Sequence, residues 1–131
     1  MSTAPDYLRF AQMMLNGGTL DGQRILSRTT VRWMTSDHLG PRIPIAQSPG
    51  GSVLMPTLYT FGLGLAVRPA DGLAPTAGTA GDYNWSGYAG TTFWVDPKEQ
   101  LVAVMMTQSP GAQRTYHRSL MRQLTYQAIS D

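Results

Sequence analysis

Cysteine is absent from the 131 residues, which excludes disulfides, thiolate metal sites and a cysteine nucleophile and leaves the redox compartment open. Charge is scarce as well. Asp, Glu, Lys and Arg make up 14% of the chain, against about a quarter in an average globular domain. Lys98 is the only lysine, so the remaining basic side chains are arginine. Those arginines form no run, and a net charge of +2 offers little to nucleic acid or an anionic membrane surface. No apolar stretch approaches bilayer length, and Met1–Ser2 lead directly into a helix cap rather than a signal peptide. What is present is a 42% hydrophobic chain with 14 Gly and 9 Pro, clustered between periodic segments. Its length suits one domain with a real core and is too short for two ordinary ones.

Several complete catalytic signatures are missing. A serine hydrolase with a lysine base needs Ser and Lys one helical turn apart, so that hydroxyl and amine share a face. Three residues before Lys98 stands Val95. A nucleophile elbow, Gly-x-Ser-x-Gly, fails at Ser86 because Asn84 occupies the first glycine position. His38 and His117 lack ligand-spaced neighbours, so no metal is expected. Gly62-Leu63-Gly64 lacks a third glycine and no Walker lysine exists, so no nucleotide cofactor is expected either.

Residues 1–39 read as helical. Thr3 and Asp6 form a capping box, and Tyr7, Phe10, Ala11, Met14 and Leu15 recur on one face. Asn16-Gly17-Gly18 stops that helix, and Asp21-Gly22 is a turn. Ser27 caps a second helix to about Asp37. Residues 40–58, with Pro41, Pro44, Pro49 and Pro56, read as an irregular surface loop. Residues 59–108 switch to strand periodicity, with strands expected at Tyr59–Arg68, Tyr83–Val95 (bent near Gly87 and Gly90) and Gln100–Thr107. The last is a near-continuous apolar run, of the kind covered on both faces. Residues 109–131 hold a closing helix with Tyr116, Leu120, Leu124 and Ala128 in one stripe. The expected class is α+β: a three-stranded antiparallel meander packed by two N-terminal helices and one C-terminal helix.

The stretch Asp82-Tyr83-Asn84-Trp85-Ser86-Gly87-Tyr88-Ala89-Gly90-Thr91-Thr92-Phe93-Trp94-Val95-Asp96-Pro97 resembles the third-strand region of serine β-lactamase-like hydrolases. The similarity is greatest to family VIII esterases and their class C β-lactamase relatives. The opening Ser2-Thr3-Ala4-Pro5-Asp6-Tyr7-Leu8-Arg9-Phe10, then Asn16-Gly17-Gly18 and Phe61-Gly62-Leu63-Gly64, follow in the family's order. The resemblance covers essentially the whole chain but only the closing segment of the family's fold, a partial β-lactamase/transpeptidase-like fold. The family's Ser-x-x-Lys and Tyr-x-Asn have no counterpart, so it implies a C-terminal part of a hydrolase, inactive alone.

The resemblance also implies roles. Trp85-Ser86-Gly87 stands where the family has its Lys-Thr-Gly or Trp-x-Gly box, lining the substrate site. The backbone N–H of Tyr88, just after the box, would be one oxyanion-hole donor. Gly87 would leave room for an acyl group. Trp85 in place of the box lysine favours uncharged esters over carboxylate-bearing lactams. Two strands from the missing N-terminal part would complete the sheet beside residues 101–106. Without them, that unguarded edge is expected to self-associate.

Against these stand plainer readings. Without a base nearby, Ser86 is a strand-face hydroxyl rather than a nucleophile. His117, beside Arg114 and Arg118, belongs to a solvated helix face, and His38 suits a helix C-terminus. Arg9, Arg24, Arg28 and Arg32 read as surface charge, and Met13, Met14, Met105 and Met106 as core filler. Tyr83, Tyr88 and Trp94 could form a stacking platform, which a strand lining a cleft explains equally. The alternative to an enzyme part is a non-catalytic binding or interaction module on the same fold.

Overall fold

The computed structural model describes residues 2–40 and 58–130; the proline-rich stretch expected as a surface loop lies almost wholly outside them. Helix α1, Ala4–Leu15, opens with the capping box: the Asp6 N–H donates to Thr3 Oγ1 at 3.3 Å, and the Thr3 hydroxyl donates back to Asp6 at 2.7 Å. It ends on two left-handed glycines, Gly17 (φ 63°) and Gly18 (φ 97°), whose N–H groups cap the carbonyls of Met14 and Met13. Asp21 and Gly22, both at positive φ, close a two-residue hairpin between β1 (Thr19–Leu20) and β2 (Gln23–Arg24). Ser27 caps α2, whose span of Arg28–Met34 is shorter than the sequence suggested. The Thr35 and Ser36 hydroxyls turn back on the carbonyls of Val31 and Arg32. Asp37 then collects the Leu39 and Gly40 N–H groups, and the His38 ring bonds the Trp33 carbonyl at 2.8 Å.

The class is α+β, with three helices, but the main sheet has five antiparallel strands in the order β3-β4-β5-β6-β7. The three-stranded meander is thereby corrected, for one reason met twice. The expected strand 59–68 is a hairpin of β3 (Thr60–Phe61) and β4 (Ala66–Val67), turned at Gly62–Leu65 with Gly64 at φ 80°. The expected strand 83–95 is likewise β5 (Tyr83–Ser86) and β6 (Gly90–Asp96), paired Trp85 to Phe93 and Ser86 to Thr92. Alternation cannot distinguish a bent strand from a tight hairpin when glycines stand at the bend. β7, Leu101–Gln108, pairs β6 and forms the edge.

α1 lies across β6 and β7. Ala11, Met13 and Met14 pack with Val31 of α2 and with Leu65, Val67, Tyr83, Phe93 and Val95 of the sheet region. Tyr7 meets Phe93 edge to face, ring centres 4.9 Å apart. Tyr83 and Trp94 are core residues, not a stacking platform. β7 is less covered than its apolar run suggests: Ala103 alone is fully buried in it, and Met106 is exposed.

Helix α3, Gln113–Gln127, packs on β6 with an unexpected face. Tyr116, Leu120 and Leu124 are exposed, while Arg114 and Arg122 are buried. Asp82 sits between two guanidinium groups, Arg68 Nε and Arg122 Nη2, each at 2.6 Å. Arg68 also donates to the Tyr59 hydroxyl at 2.7 Å, and Arg122 to the Ala77 carbonyl at 2.6 Å. Next to this cluster, the Asp96 carboxylate accepts from the Thr79 hydroxyl and the Tyr126 hydroxyl, both at 2.6 Å. Burial pushes the Asp96 carboxyl up, but these hydrogen bonds outweigh it and hold it below the usual range. No described helix is long and apolar enough to cross a membrane.

Candidate active-site strand

β5 and β6 put the box residues at one end of the sheet. The Gly87 N–H donates to the Thr91 carbonyl at 2.8 Å, and the Gly90 N–H closes the turn on the Gly87 carbonyl at 3.1 Å. Gly90, at φ 117°, opposes Gln108 where the β6–β7 register shifts, so the turn ends in a bulge. A Cβ at Gly87 would collide with Thr91 Oγ1, which gives this glycine a packing reason beside any room it leaves for a ligand.

Trp85, Ser86 and Gly87 line a pocket of about 170 Å³, together with Tyr7 of α1 and Val104 and Met106 of β7. The walls are largely apolar. Trp85 is half-buried against Phe61, ring centres 5.5 Å apart. The Ser86 hydroxyl is 2.8 Å from that of Thr92, and no basic side chain among the described residues bonds to it. Tyr88, just after the box, does not line the pocket and is 71% exposed. Its backbone N–H donates to no described residue. Among the described residues no cluster of His, Asp and Glu is arranged to hold a metal.

The back of the turn is held by α3. Arg118 Nε donates to the Gly90 carbonyl at 3.2 Å, and its Nη2 donates to the carbonyls of Gly87 and Thr91. Arg114 Nη1 donates to the Tyr88 carbonyl at 2.8 Å, its guanidinium lying 4.9 Å from the centre of the Tyr88 ring. The Ala89 carbonyl accepts from the Ser109 N–H at 2.7 Å. Every carbonyl from Gly87 to Thr91 therefore has a donor. Burial and the neighbouring Arg114 lower the Arg118 pKa, although a guanidinium stays charged at any ordinary pH. The sequence reading missed these arginines, placing this part of α3 on a solvated face. Arg114, Arg118 and Arg122 stand four residues apart and so share one helix face, which was the available signal.

The family model described as Beta-lactamase matches residues 1–126. The chain belongs to that family. Protein Rv1367c of Mycobacterium tuberculosis (strain ATCC 25618 / H37Rv) is 34% identical over 109 residues, which are 82% of this chain and 27% of that protein. Among solved structures, EstCE1, described as a hydrolase with promiscuous acyltransferase activity, superposes with a TM-score of 0.74 at 26% identity, over 95% of this chain and 30% of that one. Unliganded simvastatin synthase (LovD) from Aspergillus terreus shares the fold, with a TM-score of 0.66 at 23% identity over 93% of this chain and 34% of that one. The chain thus spans about a third or less of these relatives and constitutes part of a β-lactamase/esterase-family serine hydrolase fold.

Proposed function

We propose that this chain is the C-terminal part of a serine carboxylesterase of the β-lactamase-like type, supplying the active-site strand and one oxyanion-hole donor. The observation that carries the reading is the box itself: Trp85, Ser86 and Gly87 line one pocket, and the Tyr88 N–H after them donates to no described residue. An acyl-transfer intermediate needs such a donor aimed at its oxyanion. Trp85, Ser86 and Gly87 contact the substrate in this reading, and the apolar wall suits a small uncharged ester. The nucleophile and its lysine come from the rest of the family's fold, because this sequence contains no Ser-x-x-Lys.

Two expected results test this. The 131-residue chain alone should hydrolyse neither short p-nitrophenyl esters nor nitrocefin above background; turnover that tracks the purified protein and vanishes in Ser86→Ala would make Ser86 the nucleophile and overturn the reading. Joined to the nucleophile-bearing part of the fold, Trp85→Ala should impair ester hydrolysis more than Ser86→Ala. Tyr88→Pro, which removes the N–H at the second position of a β-turn together with the ring that lies on Arg114, should lower kcat about a hundredfold or more, whereas Tyr88→Ala, which loses the ring alone, should cost far less. Tyr88→Phe keeps the N–H and should be nearly silent.

The partner of the open sheet edge is a further part of this proposal. β7 pairs on one side only among the described residues, and Leu101 to Met106 carry no charge, Pro or Gly. Such an edge is a template for another strand. In isolation the chain should pair with a second copy through residues 101–106, giving a dimer by light scattering that Val104→Lys reduces to monomer. A monomer across a wide concentration range counts against it.

A further inference from the structure

Two cations from one helix hold the hairpin that follows the box, and no described carboxylate pairs with either. Among the described residues, Arg114 and Arg118 form no ion pair with a carboxylate; they hold main-chain carbonyls and the Tyr88 ring. This separates them from Arg68 and Arg122, which share the Asp82 carboxylate. Arg114 is buried and Arg118 half-buried, and a cation drawn from water without a counter-ion is costly unless its charge is used.

The carbonyl that Arg118 Nη2 holds at Gly87 belongs to the same peptide unit as the Tyr88 N–H. A trans peptide is planar, so its C=O and N–H point in opposite directions; no cis peptide bond occurs among the described residues. Fixing the Gly87 oxygen against α3 therefore fixes the Tyr88 N–H pointing away from α3. A charged donor on the oxygen also draws electron density through the amide and strengthens the N–H as a donor at its other end. Arg114 acts one peptide further on, at the Tyr88 carbonyl, and so anchors the turn without polarising that N–H.

We infer that Arg118 is a positioning residue for ester hydrolysis, aiming and polarising the Tyr88 N–H through the Gly87 carbonyl so that it stabilises the tetrahedral oxyanion. This deepens the proposed function and rests on it. Charge placed behind the donor acts only as negative charge develops on the substrate oxygen, so it is felt in the transition state more than in substrate binding.

The test uses the segment together with the nucleophile-bearing part of the fold, in one chain or recombined from two, with p-nitrophenyl butyrate as substrate and rates expressed per titrated active site. Arg118→Met should lower kcat about ten- to a hundredfold, less than outright deletion of a donor, with KM within about twofold. Arg118→Lys, which keeps the charge but not the fork, should recover part of kcat, as should methylguanidinium added to Arg118→Ala. Arg114→Met should cost less than Arg118→Met. If Tyr88→Pro abolishes turnover while Arg118→Met leaves kcat per active site unchanged, the role of Arg118 is overturned and the oxyanion strand stands. If neither lowers kcat, the strand assignment itself is overturned. Equal losses in Arg114→Met and Arg118→Met, with no rescue, would reduce Arg118 to a turn anchor and sink the inference.

Discussion

Asp82→Ala should destabilise the chain by about 3–5 kcal/mol, the usual cost of removing one partner from a buried ion pair. The Asp82 carboxylate is fully buried, with the side chains of Arg68 and Arg122 1% and 9% exposed. Without it, two guanidinium groups face each other in the interior with carbonyls and the Tyr59 and Thr76 hydroxyls as their remaining hydrogen-bond partners among the described residues. A domain with a total stability of about 5–15 kcal/mol would be left marginal or unfolded. Asp82→Asn keeps the volume and one acceptor and should cost less. Arg68→Met with Asp82 in place should remain costly, because the carboxylate then keeps one cation instead of two. Urea unfolding followed by circular dichroism measures all three. A midpoint for Asp82→Ala close to that of the parent chain would show that water reaches this cluster.

Trp94→Ala should cost a comparable amount, about 3–5 kcal/mol, as for other large aromatic truncations in cores. Trp94 is 1% exposed and is the largest fully buried side chain described. It lies in β6, with the Arg122 guanidinium 5.3 Å from its ring centre. Its indole N–H has no hydrogen-bond partner among the described residues, and an unpaired buried donor is unfavourable by about 1–3 kcal/mol. Trp94→Phe deletes that donor along with part of the ring, so the two changes oppose each other and the net loss should stay below about 1.5 kcal/mol. A Phe variant as unstable as the Ala variant would refute the unpaired indole. Because Arg122 touches both Trp94 and Asp82, the two sites should couple, and a double-mutant cycle should show departure from additivity.

Punctuation along the chain was local, and it was legible. Thr3, Ser27 and the Asp21-Gly22 turn act through hydrogen bonds and φ preferences within a few residues, so the sequence by itself determined the helix starts and the first hairpin. The box residues were readable as a motif for the same reason: Trp85 to Tyr88 are contiguous. Strand count was not determined in this way. Gly62 and Gly64, and Gly87 and Gly90, permit either a bent strand or a hairpin, and the choice rests on contacts from elsewhere. Gly62 is pressed against the Met34 carbonyl at the end of α2, and a Cβ there would collide with it. The Gly87 turn is held from α3 by Arg118.

The buried face of α3 was decided the same way. Periodicity favoured the stripe through Tyr116, Leu120 and Leu124, since apolar area usually chooses the packed side. In the folded chain the Arg114, Arg118 and Arg122 face turned inward. Across the packing boundary stood the Asp82 carboxylate and a row of carbonyls from Gly87 to Thr91, whose burial without donors would cost more than the exposed stripe. Residues far apart in sequence create that demand, and only the tertiary structure brings them together.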